Sequence, residues 1–211
     1  HRRRRSGRLD IRATLARSAP YGGLMFDTRW KDRTINKPRV IAICDVSRSV
    51  QAHARFLLLL LYSLRDVLPG LRSFAFTHRL IDVSDRFEHD TPELAIERVL
   101  DQVGGTGTNR GTMLSDFAAQ ELPRVDRRTA VIFLGDARNN RADPQTEVMR
   151  TLHKRAHRVV WLNPEPRSFW NLGDSEMPRY APLCHTVREC GTLAQLERAV
   201  DGLLRSTGGS R

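Results

Sequence analysis

The chain has little cysteine and no long apolar run, and each shortage closes off a class of function. Three cysteines in 211 residues are too few and too scattered for a disulfide framework or a zinc site. They point to a reducing compartment, so a cytoplasmic location is expected. The seven histidines form no HExxH, so no histidine-based metal site is read from them. The longest apolar run, Phe56 to Leu61, continues past Tyr62 and Ser63 to Leu64 between Arg55 and Arg65. It is far too short to cross a bilayer and fits a core helix. The arginines near the start are followed by polar sequence, not by the apolar segment of a secretory signal. The chain opens at His1 instead of Met, as expected of a fragment or a remnant of cloning.

What is there is enough for one α/β domain with a full core and some extra. The net charge of +11 is uneven: residues 1–39 hold twelve Lys/Arg against Asp10, Asp27 and Asp32, leaving 23 basic and 21 acidic residues for the rest. The basicity therefore belongs to an arm. Such an arm binds nucleic acid, an anionic membrane or an acidic partner, or docks on its own domain as a solvated leader.

Three parts are read: a basic, irregular arm over 1–38, a compact domain over 39–205 and a flexible tail over 206–211. Val40–Cys44 is a short β-branched run, a buried strand. Phe56, Leu57, Leu60, Leu61 and Leu64 then form one helical stripe, stopped at Pro69-Gly70. Leu71–Thr77 and Arg79–Val83 are two strands, the second antiparallel. Thr91-Pro92-Glu93 starts a helix that ends near Val103, and Thr112–Leu122 is another. Thr129–Leu134 is apolar throughout and so buried on both faces. Asp143-Pro144 opens the next helix, and Arg158–Leu162 is a fifth strand. Asn163–Pro182 is a long loop, Leu183–Val187 a sixth, edge strand. Thr192 to Gln195 is a capping box for a last helix lined by Leu193, Leu196, Val200 and Leu203. Strands alternating with helices predict a doubly wound, mostly parallel six-stranded sheet with one antiparallel edge strand and helices on both faces.

Three oxygen-rich loops fall where such a fold collects its ligands: Asp45-Val-Ser47-Arg-Ser49, the glycine-rich segment Gly104–Gly111, and Gly135-Asp136-Ala-Arg-Asn139-Asn140. Carboxylates and hydroxyls with no sulfur or imidazole suit a hard cation such as Mg²⁺. At these residues the chain resembles the von Willebrand factor A (VWA) family, whose metal-ion-dependent adhesion site (MIDAS) reads Asp-x-Ser-x-Ser, then a Thr after glycine, then an Asp after the fourth strand. The resemblance implies Asp45, Ser47, Ser49, Thr106 and Asp136 as metal ligands. Thr106 is preferred to Thr108 because it follows Gly104-Gly105 directly. The implied ion is Mg²⁺, with Mn²⁺ or Ca²⁺ as alternatives. Gly7 to Asp10 (Gly-Arg-Leu-Asp) and Leu134 to Asn140 (Leu-Gly-Asp-x-Arg-Asn-Asn) resemble the CoxE-like branch. Arg48 stands where the family often has Gly, and Ala137 replaces a common Gly after Asp136.

Plainer readings compete. Asp45, Ser47 or Ser49 could serve only as helix caps. Gly104–Gly111 lacks the Lys-Ser/Thr of a phosphate-binding loop, and Arg110 breaks the GxGxxG spacing. Ser49 lies one helical turn from His53, but no third group completes a nucleophilic site. Ser47 takes the place of the second acid that a phosphoryl-transfer aspartate wants. Cys44 reads as a small core residue, and Trp161, Phe169 and Trp170 as local packing. The expectation is a binding module and not an enzyme, in which the ion docks an Asp or Glu of a protein partner. CoxE-like resemblance implies a MoxR-type AAA+ ATPase as partner and metalloenzyme maturation or activation as the setting, with carbon monoxide dehydrogenase the best-known client. The alternatives are nucleic-acid binding through Arg2–Arg5 and the arm, and a metal-dependent hydrolase, for which no general base is placed.

Overall fold

A computed structural model describes residues 8–9, 30–31, 39–68, 70–103, 110–192, 194–195, 198 and 202. The six-stranded sheet is built from β1 (Arg39–Asp45), β2 (Arg72–Phe76), β3 (Leu80–Asp82), β4 (Thr129–Leu134), β5 (Arg158–Asn163) and β6 (Thr186–Glu189), in spatial order β3-β2-β1-β4-β5-β6. All neighbours pair in parallel except β2 and β3. Strand order reverses between β1 and β4, so a crevice opens there at the carboxyl edge. The register Cys44↔Leu134 brings Asp45 level with Gly135 across it.

The helices are α1 (Gln51–Val67), α2 (Ser84–His89), α3 (Pro92–Val103), α4 (Arg110–Gln120), α5 (Thr146–Arg155) and α6 (Met177–Tyr180). Alternation along the central strands divides the core into two layers. Val40, Ala42 and Cys44 face Leu57, Leu61 and Leu64 of α1 and Ile96 and Val99 of α3. Ile41 and Ile43 face Met113 and Phe117 of α4 and Met149 and Leu152 of α5. Each of the fully buried leucines contributes about 2 kcal/mol of burial free energy. In α1, Leu58 and Leu59 are buried as well, so the helix is enclosed beyond its predicted stripe. Gly70 after it takes φ +78°, a conformation that costs glycine nothing.

Several boundaries differ from expectation. The helix predicted from Asp143-Pro144 starts at Thr146 instead, because the Asp143 carboxylate accepts bonds from both the backbone and the side-chain amide of Gln145, which sits at φ +50°. That local turn replaces the cap. The sixth strand starts three residues later than predicted, at Thr186, since Ala181–Leu183 winds into a 3-10 turn. The long loop over 163–182 contains α6 and a 3-10 turn at Arg167–Phe169. Helix α2 was not predicted; its Ser84 amide donates to Asp82, and Phe87 anchors it in the core. Within the arm, read as irregular, Arg8–Leu9 pairs antiparallel with Trp30–Lys31. The capping box is made: Thr192 N–H donates to Gln195 Oε1 and Gln195 N–H to Thr192 Oγ1. Leu193, Leu196, Val200 and Leu203 of its helix lie outside the described residues, as does the tail.

Candidate metal site at the strand crossover

Asp45 is the last residue of β1 and is fully buried, as is Asp136 two residues past β4. Asp45 Oδ1 accepts the Ser47 amide at 2.9 Å, which folds the chain back over the strand end. The Val46 amide bonds Phe76 O of β2, and the turn continues as the 3-10 segment Arg48–Val50. Ser47 is buried and Ser49 exposed, with their hydroxyl oxygens 3.1 Å apart. Val50, the residue just before α1, makes no side-chain cap hydrogen bond.

The opposite wall is held against Asp45 by a missing side chain. A Cβ on Gly135 would lie 2.6 Å from Asp45 Cβ and 3.1 Å from Asp45 Oδ2. Only glycine lets the start of the Asp136 loop approach that closely. Asp136 Oδ1 accepts the Arg138 amide at 2.9 Å, and Asp136 O accepts from Asn163 Nδ2 at 3.1 Å. Trp161 Nε1 donates to Gly135 O at 2.9 Å. Ala137 sits between at φ +64°, fully buried. The left-handed conformation costs a non-glycine residue about 1 kcal/mol, so glycine would be favoured at this position.

Thr106 lies outside the described residues, together with the rest of 104–109 and the side chain of Arg48. The described start of that loop is anchored near the crevice: Thr77, directly after β2, donates its hydroxyl to Val103 O at 3.0 Å. So Asp45, Ser47 and Ser49 come together, Asp136 follows the glycine that touches Asp45, and Thr106 is unplaced.

The sequence reading missed Arg138. Its guanidinium donates to Glu165 from Nε (3.0 Å) and Nη2 (3.2 Å) and to Asp174 Oδ1 from Nη1 (3.0 Å), and Nε lies 4.0 Å from Asp136 Oδ2. Burial raises the Glu165 carboxyl, with the Asp136 and Asp174 charges adding, against the Arg138 bonds. Burial also acts to raise Asp174, but its Arg138 bond and the Asn140 amide outweigh that and hold it low. The Leu-Gly-Asp-x-Arg-Asn-Asn run carried the signal; the partners 27 and 36 residues away did not show. Cys44 is a core residue as read, its thiol raised well above the usual range by burial and then by Asp45. Trp161 stacks between Phe133 and Tyr180 in the core. Phe169, also read as packing, is 48% exposed.

Two buried carboxylates and neighbouring hydroxyls are a hard, oxygen-only donor set, the chemistry that suits a small divalent ion. The residues present therefore fit a small divalent ion. Among the described residues no cluster of three or more His, Cys, Asp or Glu is arranged for a metal, and no helix is long and apolar enough to cross a membrane.

The comparisons with known proteins agree with this frame. The family described as "VWA domain containing CoxE-like protein" matches residues 1–199. No curated protein matches the chain. Among solved structures, a von Willebrand factor type A protein from Catenulispora acidiphila superposes with TM-score 0.57 at 16% identity, over 84% of this chain and 44% of that one. Proximal thread matrix protein 1 from the mussel byssus gives TM-score 0.56 at 12% identity, over 82% and 48%. A form of that mussel protein with a zinc-occupied MIDAS motif gives 0.51 at 15%, over 81% and 46%. The chain spans less than half the length of each. At these identities the likeness shows the fold, while the match over residues 1–199 shows the family: the chain belongs to the VWA-domain, CoxE-like proteins.

Proposed function

We propose that the chain is a metal-dependent protein-binding domain and not an enzyme: Asp45, Ser47, Ser49, Thr106 and Asp136 hold a Mg²⁺ ion whose open position takes an Asp or Glu of a protein partner. The observation that carries this reading is the packing of Asp45 against Gly135, next to Asp136, with both carboxylates buried at neighbouring strand ends. Magnesium keeps several waters and few protein oxygens, so a carboxylate from outside can replace a water. The ion supplies the positive charge that the partner's acid needs when it leaves solvent. The zinc-occupied MIDAS motif of the mussel protein supports a divalent ion in this chain. Oxygen donors without His or Cys favour Mg²⁺ over zinc here.

The CoxE-like family membership favours a MoxR-type AAA+ ATPase as partner, with the pair acting in the maturation or activation of a metalloenzyme inside the cytoplasm. The ATPase then supplies the work and this chain selects or couples the client. The basic arm adds a second contact to an acidic face. Among the described residues, the acids beside Asp136, Glu165 and Asp174, are bonded to Arg138 and not placed as a general base, which favours binding over hydrolysis. The test is capture from native extract on the immobilised chain with Mg²⁺, followed by elution with EDTA. One ATPase released by EDTA, and never retained by Asp45→Ala, is the expected result. Retention that ignores both EDTA and Asp45→Ala would remove the ion from the account.

A further inference from the structure

Outside the arm the charge is nearly even along the sequence, but it is not even in space. Segments 121–129 and 153–158 hold Arg124, Arg127, Arg128, Lys154, Arg155 and Arg158 against Glu121 and Asp126 alone. They meet at the amino edge of the sheet, the opposite end of the strands from Asp45 and Asp136. The His157 amide bonds Thr129 O at 2.8 Å, and Arg158 is level with Ala130. The His185 amide bonds Val159 O at 2.8 Å, and the Val159 amide donates to His185 Nδ1 at 3.0 Å. Arg155, the last residue of α5, reaches Pro123 O at 3.5 Å. The starts of β4, β5 and β6 and the end of α5 therefore form one continuous edge.

Both acids of this edge are already taken. Glu121 is buried and pairs with Arg72 and Arg124. Asp126 pairs with Arg39 and also accepts the Arg128 amide and the Thr129 hydroxyl. Arg127, Arg128, Lys154, Arg155 and Arg158 make no ion pair among the described residues, and all but Arg158 are exposed. The carbonyls at the end of α5 carry only about half a negative charge, too little to offset Lys154 and Arg155. The His153 and His185 rings stack beside them at 4.3 Å. Burial lowers the His185 imidazole first, and His153, Arg158, His157 and Arg127 lower it further. These four all act as a positive field acts.

What the edge lacks narrows its partner. The exposed large hydrophobics among the described residues are Leu94, Phe169 and Leu172, and none belongs to it. A protein interface draws most of its energy from a few well-packed, desolvated anchors, and a membrane-bound face sinks apolar side chains below the headgroups. A nucleic-acid backbone needs neither. Cations alone meet its phosphates, and the arginine fork matches two phosphate oxygens.

We infer that the amino edge of β4, β5 and β6 is a nucleic-acid-binding surface, on which Arg127, Arg128, Lys154 and Arg155 meet backbone phosphates without reading the base sequence. It is separate from the proposed ion and does not depend on it.

The test is fluorescence anisotropy of labelled DNA and RNA oligonucleotides, single-stranded and duplex, with the full chain in EDTA over a range of KCl. Arg127→Ala, Lys154→Ala and Arg155→Ala are combined in one protein; all three side chains are exposed, and an unchanged urea midpoint is the control for folding. A second protein, with Arg2 to Arg5 replaced by Ala, separates the arm from the edge. Binding should weaken as salt rises and fall at least about tenfold in the triple variant, with a salt slope shallower by about 2 to 3, since each phosphate contact contributes about 0.7 to 0.9. The triple substitution should have the same effect when added to the arm variant. A triple variant that binds like the unaltered chain, binding abolished by the arm substitutions alone, or no oligonucleotide binding at low salt would each overturn the inference. Poly-glutamate or phosphatidylserine vesicles held more tightly than every oligonucleotide through the same three residues would overturn the class of partner.

Discussion

The two loops that face each other across the crevice are built in opposite ways. The first, Asp45 to Ser49, is closed by contacts between near neighbours: Asp45 takes the Ser47 amide, and the Ser47 and Ser49 hydroxyls lie 3.1 Å apart. The second, Gly135 to Asn140, holds a strained Ala137 and depends on Glu165, Asn163 and Asp174 from a distant stretch of chain. One loop supplies oxygens at little cost in surrounding structure. The other is oriented by a shell of remote bonds, the kind of support that sets how well a ligand residue is aimed. Damage to the first loop should therefore cost ion binding and little stability, whereas damage to the second should cost both.

The largest effect is expected where the loops touch. Gly135→Ala pushes a methyl to 2.6 Å from Asp45 Cβ, so one wall must move. A loss of about 3 kcal/mol in urea unfolding is expected, together with loss of Mg²⁺ binding by calorimetry. A variant of normal stability that still binds Mg²⁺ would break the idea that this contact sets the width of the crevice.

Next comes the brace. Arg138→Ala leaves Asp136, Glu165 and Asp174 without their shared cation. About 2 kcal/mol of stability should be lost, less than for a fully buried pair because solvent reaches part of the cluster. Mg²⁺ affinity should fall roughly tenfold as Asp136 loses its support. Arg138→Lys should rescue little, since an ammonium cannot reproduce the fork to Glu165 and Asp174. Full recovery in the lysine variant would mean that charge alone matters here.

Ser49→Ala is the contrasting change in the first loop. Ser49 is exposed, so stability should move by no more than about 0.5 kcal/mol while Mg²⁺ affinity drops severalfold. Equal losses of both would erase the distinction between the loops.

The smallest effect is in pH. Asp174 is held below its ordinary value, so it contributes stability above the unfolded pKa near 3.8, and that contribution is lost as pH falls below it through the folded value. Urea midpoints should therefore decline below pH about 4, less steeply in Asp174→Asn, whose side-chain oxygen still accepts the Asn140 amide. Identical slopes in the two proteins would place the acid sensitivity elsewhere.

This contrast also decides what could be read in advance. The first loop is a local motif on a strand whose apolar run is visible, so Asp45, Ser47 and Ser49 were legible together, and β4 was legible to the residue because every side chain in Thr129–Leu134 is buried. In the second loop Asp136 was legible as a candidate, but its supports were not. Nothing in a one-dimensional pattern says that Arg138 meets Glu165 and Asp174 across the sheet edge. The same limit explains the displaced start of α5, where a side-chain turn at Asp143 overrode a good cap signal, and Phe169, whose loop turns it outward while its neighbour Trp170 goes in.

The most direct measurement is titration of the full chain with MgCl₂, followed by calorimetry and by the shift of its melting temperature. One saturable site is predicted in the unaltered protein, absent from both Asp45→Asn and Asp136→Asn proteins that are otherwise folded. Magnesium uptake that survives both substitutions, or no uptake by the unaltered protein at millimolar ion, would contradict a cation site at the crossover of β1 and β4.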